Sequence, residues 1–156
     1  MRLNMQRLAV MLLALMAVCA CAFAFQSKPA PAKASAAGAV IINITTGPDD
    51  VFRLLSAFHV AEDAINDGRR VVLFFNGRGV TVPVKRLSGE LQLGQERALW
   101  VVLQDLVQAG AEVLVARESM RALNMVEADF ITGTQIGDWG GSVFGKITAG
   151  SVVFSY

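Results

Sequence analysis

Thiols, the most reactive side chains in this sequence, are confined to its first residues. The two cysteines are Cys19 and Cys21, and residues 25–156 contain none. Sulfur transfer needs a thiolate that attacks a sulfur atom and then carries it, so residues 25–156 have no side chain for that chemistry. The single histidine, His59, lies on the flank of an apolar helical stripe, which indicates a packed or surface histidine and not a ligand or base.

Ser119 is the candidate nucleophile among the hydroxyl side chains, but its surroundings do not support that role. A serine hydroxyl needs an adjacent base to attack a substrate, and no Gly-x-Ser-x-Gly turn surrounds Ser119. We expect it to be the N-cap of a short helix. No clustered spacing of His, Cys, Asp and Glu suits zinc or copper. The sequence therefore predicts no catalytic residue, no metal and no cofactor.

One set of polar residues favours a binding site for a small anion. In doubly wound folds, ligands bind beyond the carboxyl ends of the strands, where arginines, hydroxyls and free backbone amides can hold an anion. Such residues follow the predicted strands at five positions: Thr46, Asn76, Arg78, Arg117 and Ser119. The alternative is that the glycines of Asn-Gly-Arg-Gly only provide turn geometry and that the arginines pair with Glu118 or solvent. This segment also lacks the third glycine and the following helix of a dinucleotide fingerprint.

Strand and helix signals alternate along residues 40–156 and must position these side chains. Continuous β-branched or apolar runs indicate strands that are buried on both faces, and apolar residues at helical spacing indicate the helices between them. Strands separated by helices favour parallel pairing in a three-layer sandwich. The predicted strands are 40–45, 71–75, 111–116, 130–132 and 151–154. The predicted helices are one capped by Asp49 or Asp50 that runs to about Asn66 and is stopped by Gly68, a second from Gln95 to Ala109 and a third from Ser119 to Asn124.

The helix predicted from Gln95 to Ala109 is apolar around more of its circumference than one sheet contact requires. Neighbouring helices could bury the excess, or a second subunit could cover it, since a tryptophan among aliphatic residues suits an interface. The core stripe would be Leu99, Val102, Leu103 and Leu106, and the additional apolar residues are Trp100, Val101 and Val107.

The first 24 residues have the order of an export signal. A positive start, an apolar run and the small-x-small pattern Ala22-Phe23-Ala24 predict cleavage after Ala24. A lipoprotein signal with Cys21 as the lipidated residue is one alternative, and an uncleaved anchor is another, because nothing charged stands between Leu8 and Ser27. We therefore expect a signal peptide at 1–24, a flexible linker at 25–39 and a domain at 40–156, located in the periplasm or secreted. The membrane would be involved only through lipidation or an uncleaved signal.

Charge argues against nucleic acid as a partner. The chain has 14 basic and 13 acidic residues, and removing Arg2 and Arg7 with the leader leaves 12 against 13, a net charge of −1. A domain that binds nucleic acid or an anionic membrane surface normally presents a basic field. We predict neither of those partners.

Five segments in order resemble the DsrE/DsrF-like family. They are the strand Ile41 to Thr46, the Ala-Phe-His-Val-Ala of the first helix, Phe74 to Val80, the strand Val113 to Ala116, and Asp129 to Gly133. The resemblance implies a flavodoxin-like α/β domain with a mainly parallel sheet of about five strands. It also implies assembly into trimers or hexamers, and several similar proteins are persulfide carriers in sulfur relay.

In the thiol-bearing members of that family, a cysteine follows the third core strand. The equivalent positions here are Ala116 and Ser119, neither of which can hold a persulfide. We therefore expect a binding or interaction module of the cell envelope that lacks thiol catalysis. The alternative is a sulfur-relay or redox-associated protein that works with a thiol-bearing partner.

Overall fold

The computed structural model describes residues 38–85 and 97–156. The predicted signal peptide, the linker up to residue 37 and the first two residues of the helix predicted from Gln95 lie outside the described residues. Within the described part of the chain, no helix combines the length and the apolar character that crossing a membrane requires.

Five parallel strands form one sheet in the order β4-β3-β2-β1-β5. Every residue of β1 and β2 is buried, as expected for strands that are covered on both faces. The strand bounds are Val40–Ile44 for β1, Val71–Phe75 for β2, Glu112–Ala116 for β3, Gln135–Gly137 for β4 and Val152–Ser155 for β5.

Within residues 38–85 and 97–156, three α-helices lie between successive strands from β1 to β4. Helix α1 spans Val51–Asn66, and the Asp50 carboxylate caps it by accepting from the Arg53 amide at 3.1 Å. Helix α2 spans Leu99–Gln108, and α3 spans Arg117–Ala122. Gly68 and Gly110 follow α1 and α2 with φ of 73° and 105°, a conformation that glycine adopts without strain.

Successive right-handed crossovers place α1 and α2 on the same face of the sheet, because the chain moves in one direction from β1 to β3. The opposite face is covered by a π-helical turn at Trp139–Val143 and a 3-10 turn at Phe144–Lys146. There, Trp139 packs edge-to-face on Phe74 with ring centroids 4.6 Å apart. These three layers confirm the prediction of a flavodoxin-like α/β sandwich with a parallel sheet of about five strands.

Two local predictions were wrong. Residues 130–132 do not form a strand of the sheet: Phe130 makes only an isolated antiparallel bridge to Val84, and the fourth strand follows at Gln135. The buried side chain of Phe130 produced the strand signal at 130–132. Ser119 is not a helix N-cap, because α3 begins at Arg117, directly after β3, and Ala116 is the capping residue.

Candidate functional site

A cavity of about 250 Å³ opens where β2, β3 and β4 end. Carboxyl ends of parallel strands are the usual place for ligands in open α/β sheets. The lining combines aromatic, amide and charged residues: Phe74, Asn76, Ala116, Arg117, Glu118, Gly137, Asp138, Trp139 and Gly140. Two larger hollows, of about 500 and 410 Å³, are lined by residues that do not follow these strand ends. We therefore take the strand-end cavity as the candidate site.

Asn76 and Ser119 fix the two loops beside this cavity to each other. The Ser119 hydroxyl donates to Asn76 Oδ1 at 2.8 Å and accepts from the Gly77 amide at 2.9 Å. The Gly77 amide also donates to Asn76 Oδ1 at 2.7 Å. Because the hydroxyl makes two hydrogen bonds within the protein, Ser119 holds the turn after β2 against α3 and is not poised as a nucleophile.

Arg117 is the positively charged residue of the cavity lining. Its side chain is exposed and makes one long hydrogen bond, 3.3 Å, to the carbonyl oxygen of Ile136. Most of its donors therefore point to solvent or to a ligand. The lining also includes the carboxylates of Glu118 and Asp138. With Arg117, they give the lining a formal charge of −1.

The Asp138 side chain accepts hydrogen bonds from the backbone that follows β4. Its Oδ1 accepts from the amides of Gly141 and Ser142 at 2.7 and 3.4 Å, which caps the π-helical turn. Gly137 permits that turn to pack closely, since a Cβ there would lie 2.4 Å from the Ser142 hydroxyl. The turn in turn places the Trp139 ring against the sheet and over the cavity wall.

The structure separates the five residues that the sequence predicted as an anion site. Asn76 and Arg117 line the cavity, and Ser119 contacts Asn76. Arg78 instead pairs with Asp49 at 2.7 Å, and both side chains are largely exposed. Thr46, beyond the end of β1, does not line the cavity.

Tyr156, which directly follows β5, lies at the end of β1. The amide and the hydroxyl of Thr45 both donate to the Tyr156 carbonyl oxygen at 2.7 Å. The point where the strand order reverses, between β1 and β5, therefore carries backbone contacts and not the cavity. The cavity lies further along the sheet, at the ends of β2 to β4.

Ala116 is the last residue of β3 and contributes a buried methyl group to the cavity wall. Of Ala116 and Ser119, the two positions at which the family resemblance led us to look for a cysteine, Ala116 is the one that lines the cavity. The methyl group of Ala116 is chemically unreactive. Within the described residues, no group of three or more His, Cys, Asp or Glu side chains is arranged to hold a metal. The arrangement can bind, but it offers no nucleophile with an adjacent base.

Sequence reasoning missed the contribution of residues 137–140. It placed the fourth strand at 130–132, so the residues that follow the true β4 were not considered as a strand end. The signal was present in the Gly-Asp-Trp-Gly-Gly run, because an aspartate before paired glycines is typical of a capped turn.

The fold and the site together define the protein as an α/β domain with a cavity at the ends of its strands. The lining of that cavity contains no thiol. The sequence matches the DsrE/DsrF-like family over residues 38–145. The match covers more than half of the chain, and the protein belongs to this family. No curated protein matches the sequence.

Two solved structures share the fold. A protein of unknown function, MTH1491 from Methanobacterium thermoautotrophicum, superposes with a TM-score of 0.59 at 18% identity, covering 76% of this chain and 99% of that one. The ychN protein from E. coli superposes with a TM-score of 0.59 at 17% identity and the same coverage. At these identities the likeness shows the fold alone.

Proposed function

We propose that this protein is a non-catalytic binding or interaction module of the cell envelope, exported by its leader, whose ligand occupies the strand-end cavity. The observation that supports this function is Ala116: the cavity is formed, yet its wall carries a methyl group at one of the two positions where the family resemblance implies a cysteine in thiol-bearing members. A formed cavity whose wall has a methyl group and no thiol at this position favours recognition of a ligand over sulfur transfer.

The ligand that we propose is a small anion held by Arg117 and Asn76. Arg117 has free donors, and Asn76 adds an amide group at the cavity wall. Because Glu118 and Asp138 also line the cavity, the anion must be small enough to contact the guanidinium without approaching both carboxylates. Binding should therefore be weak.

Titration with sulfate, phosphate and thiosulfate, followed by amide chemical shifts, tests this ligand. Replacing Arg117 with alanine should weaken binding about tenfold, since an exposed charged hydrogen bond contributes less than the ~1.5–3 kcal/mol of a buried one. The matched control is Arg78→Ala, which removes an exposed arginine that is paired with Asp49 and lies outside the lining. Equal effects of the two substitutions, or no saturable binding to the wild type, would contradict the site.

A persulfide donor tests the absence of sulfur chemistry. The mass of the mature protein should not change on exposure to the donor, whereas Ala116→Cys should gain one sulfur atom because that side chain faces the cavity. Ser119→Cys is the comparison, and it should gain less, since its side chain is directed at Asn76. Sulfur uptake by the wild type would instead favour a relay function.

The alternative function is a sulfur-relay or redox-associated role beside a thiol-bearing partner. Membership of the DsrE/DsrF-like family supports relatedness to sulfur-relay proteins, and a partner's cysteine could enter a cavity that has none of its own. Labelled sulfur passing from a persulfide donor to the thiolate of an added protein, with release of the donor's thiol, faster in the presence of this protein than in its absence would favour this alternative.

Export is tested at the N-terminus. Mass spectrometry of the protein recovered from the envelope should find Phe25 as its first residue, because the small-x-small pattern ends at Ala24. A lipid on Cys21 would indicate a membrane-anchored lipoprotein, and an intact Met1 would contradict cleavage.

A further inference from the structure

We propose that the strand-end cavity binds a free amino acid with a small apolar side chain. This inference rests on the function proposed above, in which Arg117 holds an anionic group in this cavity, and it names the molecule that carries the group. The carboxylate of the amino acid contacts Arg117, its ammonium group contacts Glu118, and its side chain lies against the apolar part of the wall.

The lining carries charges of both signs that do not pair with each other. It contains the guanidinium of Arg117 and the carboxylates of Glu118 and Asp138. The ion pairs within residues 38–85 and 97–156 involve none of these three side chains. Arg117 and Glu118 are consecutive in α3, and consecutive side chains of a helix do not face each other. Both charges therefore stay available to one ligand.

Arg117 is the contact for the carboxylate. Within the described residues, its side chain makes one long hydrogen bond, 3.3 Å, to the Ile136 carbonyl oxygen. The other donors of its planar guanidinium match the two oxygens of a carboxylate. Asn76 supports the same group, because Gly77 and Ser119 occupy its Oδ1. The Asn76 amide nitrogen is thus the part that can donate to a ligand.

Glu118 is the main contact for the ammonium group. Glu118 is exposed, and its carboxylate accepts no hydrogen bond from the part of the chain that the structure describes. Asp138 adds a second acceptor, since it caps the turn after β4 through Oδ1 and leaves Oδ2 available. An ammonium group only donates hydrogen bonds, so it matches these carboxylate oxygens.

The charge of the lining favours a zwitterion over a simple ion. A simple anion at Arg117 meets the repulsion of two carboxylates, and a simple cation at Glu118 meets the repulsion of the guanidinium. A molecule with one charge of each sign can place each group beside its opposite. Both contacts then contribute to the affinity, whereas a simple ion gains one contact and is opposed by the rest of the lining.

The size and the apolar wall of the cavity limit the rest of the ligand. The volume is about 250 Å³, below the roughly 300–1,000 Å³ of pockets for drug-sized molecules. Phe74, Ala116 and Trp139 form the apolar part of the lining. An inorganic oxyanion has no apolar group to contact that wall. A small aliphatic side chain does contact it, and a free amino acid of this kind combines all three features.

Titration of the wild-type protein with three ligands of matched shape tests the proposal. Alanine carries both charged groups, propionate lacks the ammonium group, and ethylamine lacks the carboxylate. Amide chemical shifts of residues 137–141 report binding, and no variant has to fold. Alanine should bind at least tenfold more tightly than either analogue at neutral pH, because only alanine makes both charged contacts. Equal affinities for alanine and propionate would overturn the proposal.

A pair of matched variants tests the contact to the ammonium group. Glu118→Gln keeps the shape and removes the charge, so the preference for alanine over propionate should fall at least fivefold. Glu127→Gln changes an exposed glutamate outside the lining and should leave the preference intact. Circular dichroism would check that both variants fold. A preference that survives Glu118→Gln in full would overturn the proposal.

The same titrations separate this inference from the function on which it rests. If propionate and sulfate bind as tightly as alanine, and Arg117→Ala weakens all three, the anion site stands and the amino acid is excluded. If no ligand shows saturable binding to the wild type, the anion site and the amino acid are both excluded.

Discussion

Replacing Ser119 with alanine should destabilise the fold modestly and should not abolish a chemical activity. The hydroxyl makes two hydrogen bonds, to Asn76 at 2.8 Å and from the Gly77 amide at 2.9 Å. The Gly77 amide keeps its bond to Asn76 after the substitution, so the net loss is close to one hydrogen bond. A net hydrogen bond contributes about 0.5–1.5 kcal/mol to the free energy of unfolding.

Helix propensity offsets part of that loss, because Ser119 lies within α3. Alanine is the better helix former by up to ~0.5 kcal/mol. We therefore expect the free energy of unfolding to fall by about 0.5–1 kcal/mol. Urea denaturation with an unchanged m-value would measure this difference.

Ser56→Ala is the matched control for this measurement. Ser56 also lies in a helix, but its hydroxyl donates only to the Phe52 carbonyl oxygen of the same helix, at 3.0 Å. That substitution should be neutral or slightly stabilising. If Ser119→Ala were as stable as Ser56→Ala, the hydroxyl would not hold the two loops together. If it instead lost anion binding at full stability, Ser119 would be a ligand contact.

Three further substitutions test the architecture around the site. Asn76→Ala should cost more than Ser119→Ala, about 1–3 kcal/mol in urea denaturation, because Asn76 Oδ1 accepts from both Gly77 and Ser119. Gly79→Ala should destabilise by about 1–3 kcal/mol or prevent folding, since a Cβ would lie 2.1 Å from the Ile44 carbonyl oxygen. Burial of Glu112 acts to raise its pKa, but hydrogen bonds and charge from Arg70 and Lys146 outweigh it and hold the pKa below its ordinary value of 4.5. The stability that Glu112 contributes is therefore present above pH 4.5 and lost as the pH falls through the folded-state pKa, and the difference from Glu112→Gln should shrink in acid denaturation.

The interior strands could be predicted from the sequence because they are buried on both faces. The predicted strands at 40–45, 71–75 and 111–116 agree with β1, β2 and β3 to within one residue. Burial on both faces makes such strands continuous apolar runs. The α1 helix was equally clear, since Asp50 and Gly68 stand at its two ends with the geometry expected of a cap and a stop.

Strand β4 could not be predicted because it has little side-chain signal. It contains three residues, Gln135, Ile136 and Gly137, and is held by backbone pairing with β3. The neighbouring Phe130 and Ile131 are buried and apolar, and they produced a stronger strand pattern without joining the sheet. Four of the nine lining residues, Gly137 to Gly140, lie at the end of β4 or directly after it, so that error concealed part of the site as well.

The different surroundings of Arg78 and Arg117 come from contacts between segments that are distant in the sequence. Both arginines follow strands, and nothing local distinguishes them. Only the fold shows that Arg78 pairs with Asp49, whereas Arg117 lines the cavity and donates one long hydrogen bond to the Ile136 carbonyl oxygen. Tertiary pairing of this kind is not encoded in any short pattern.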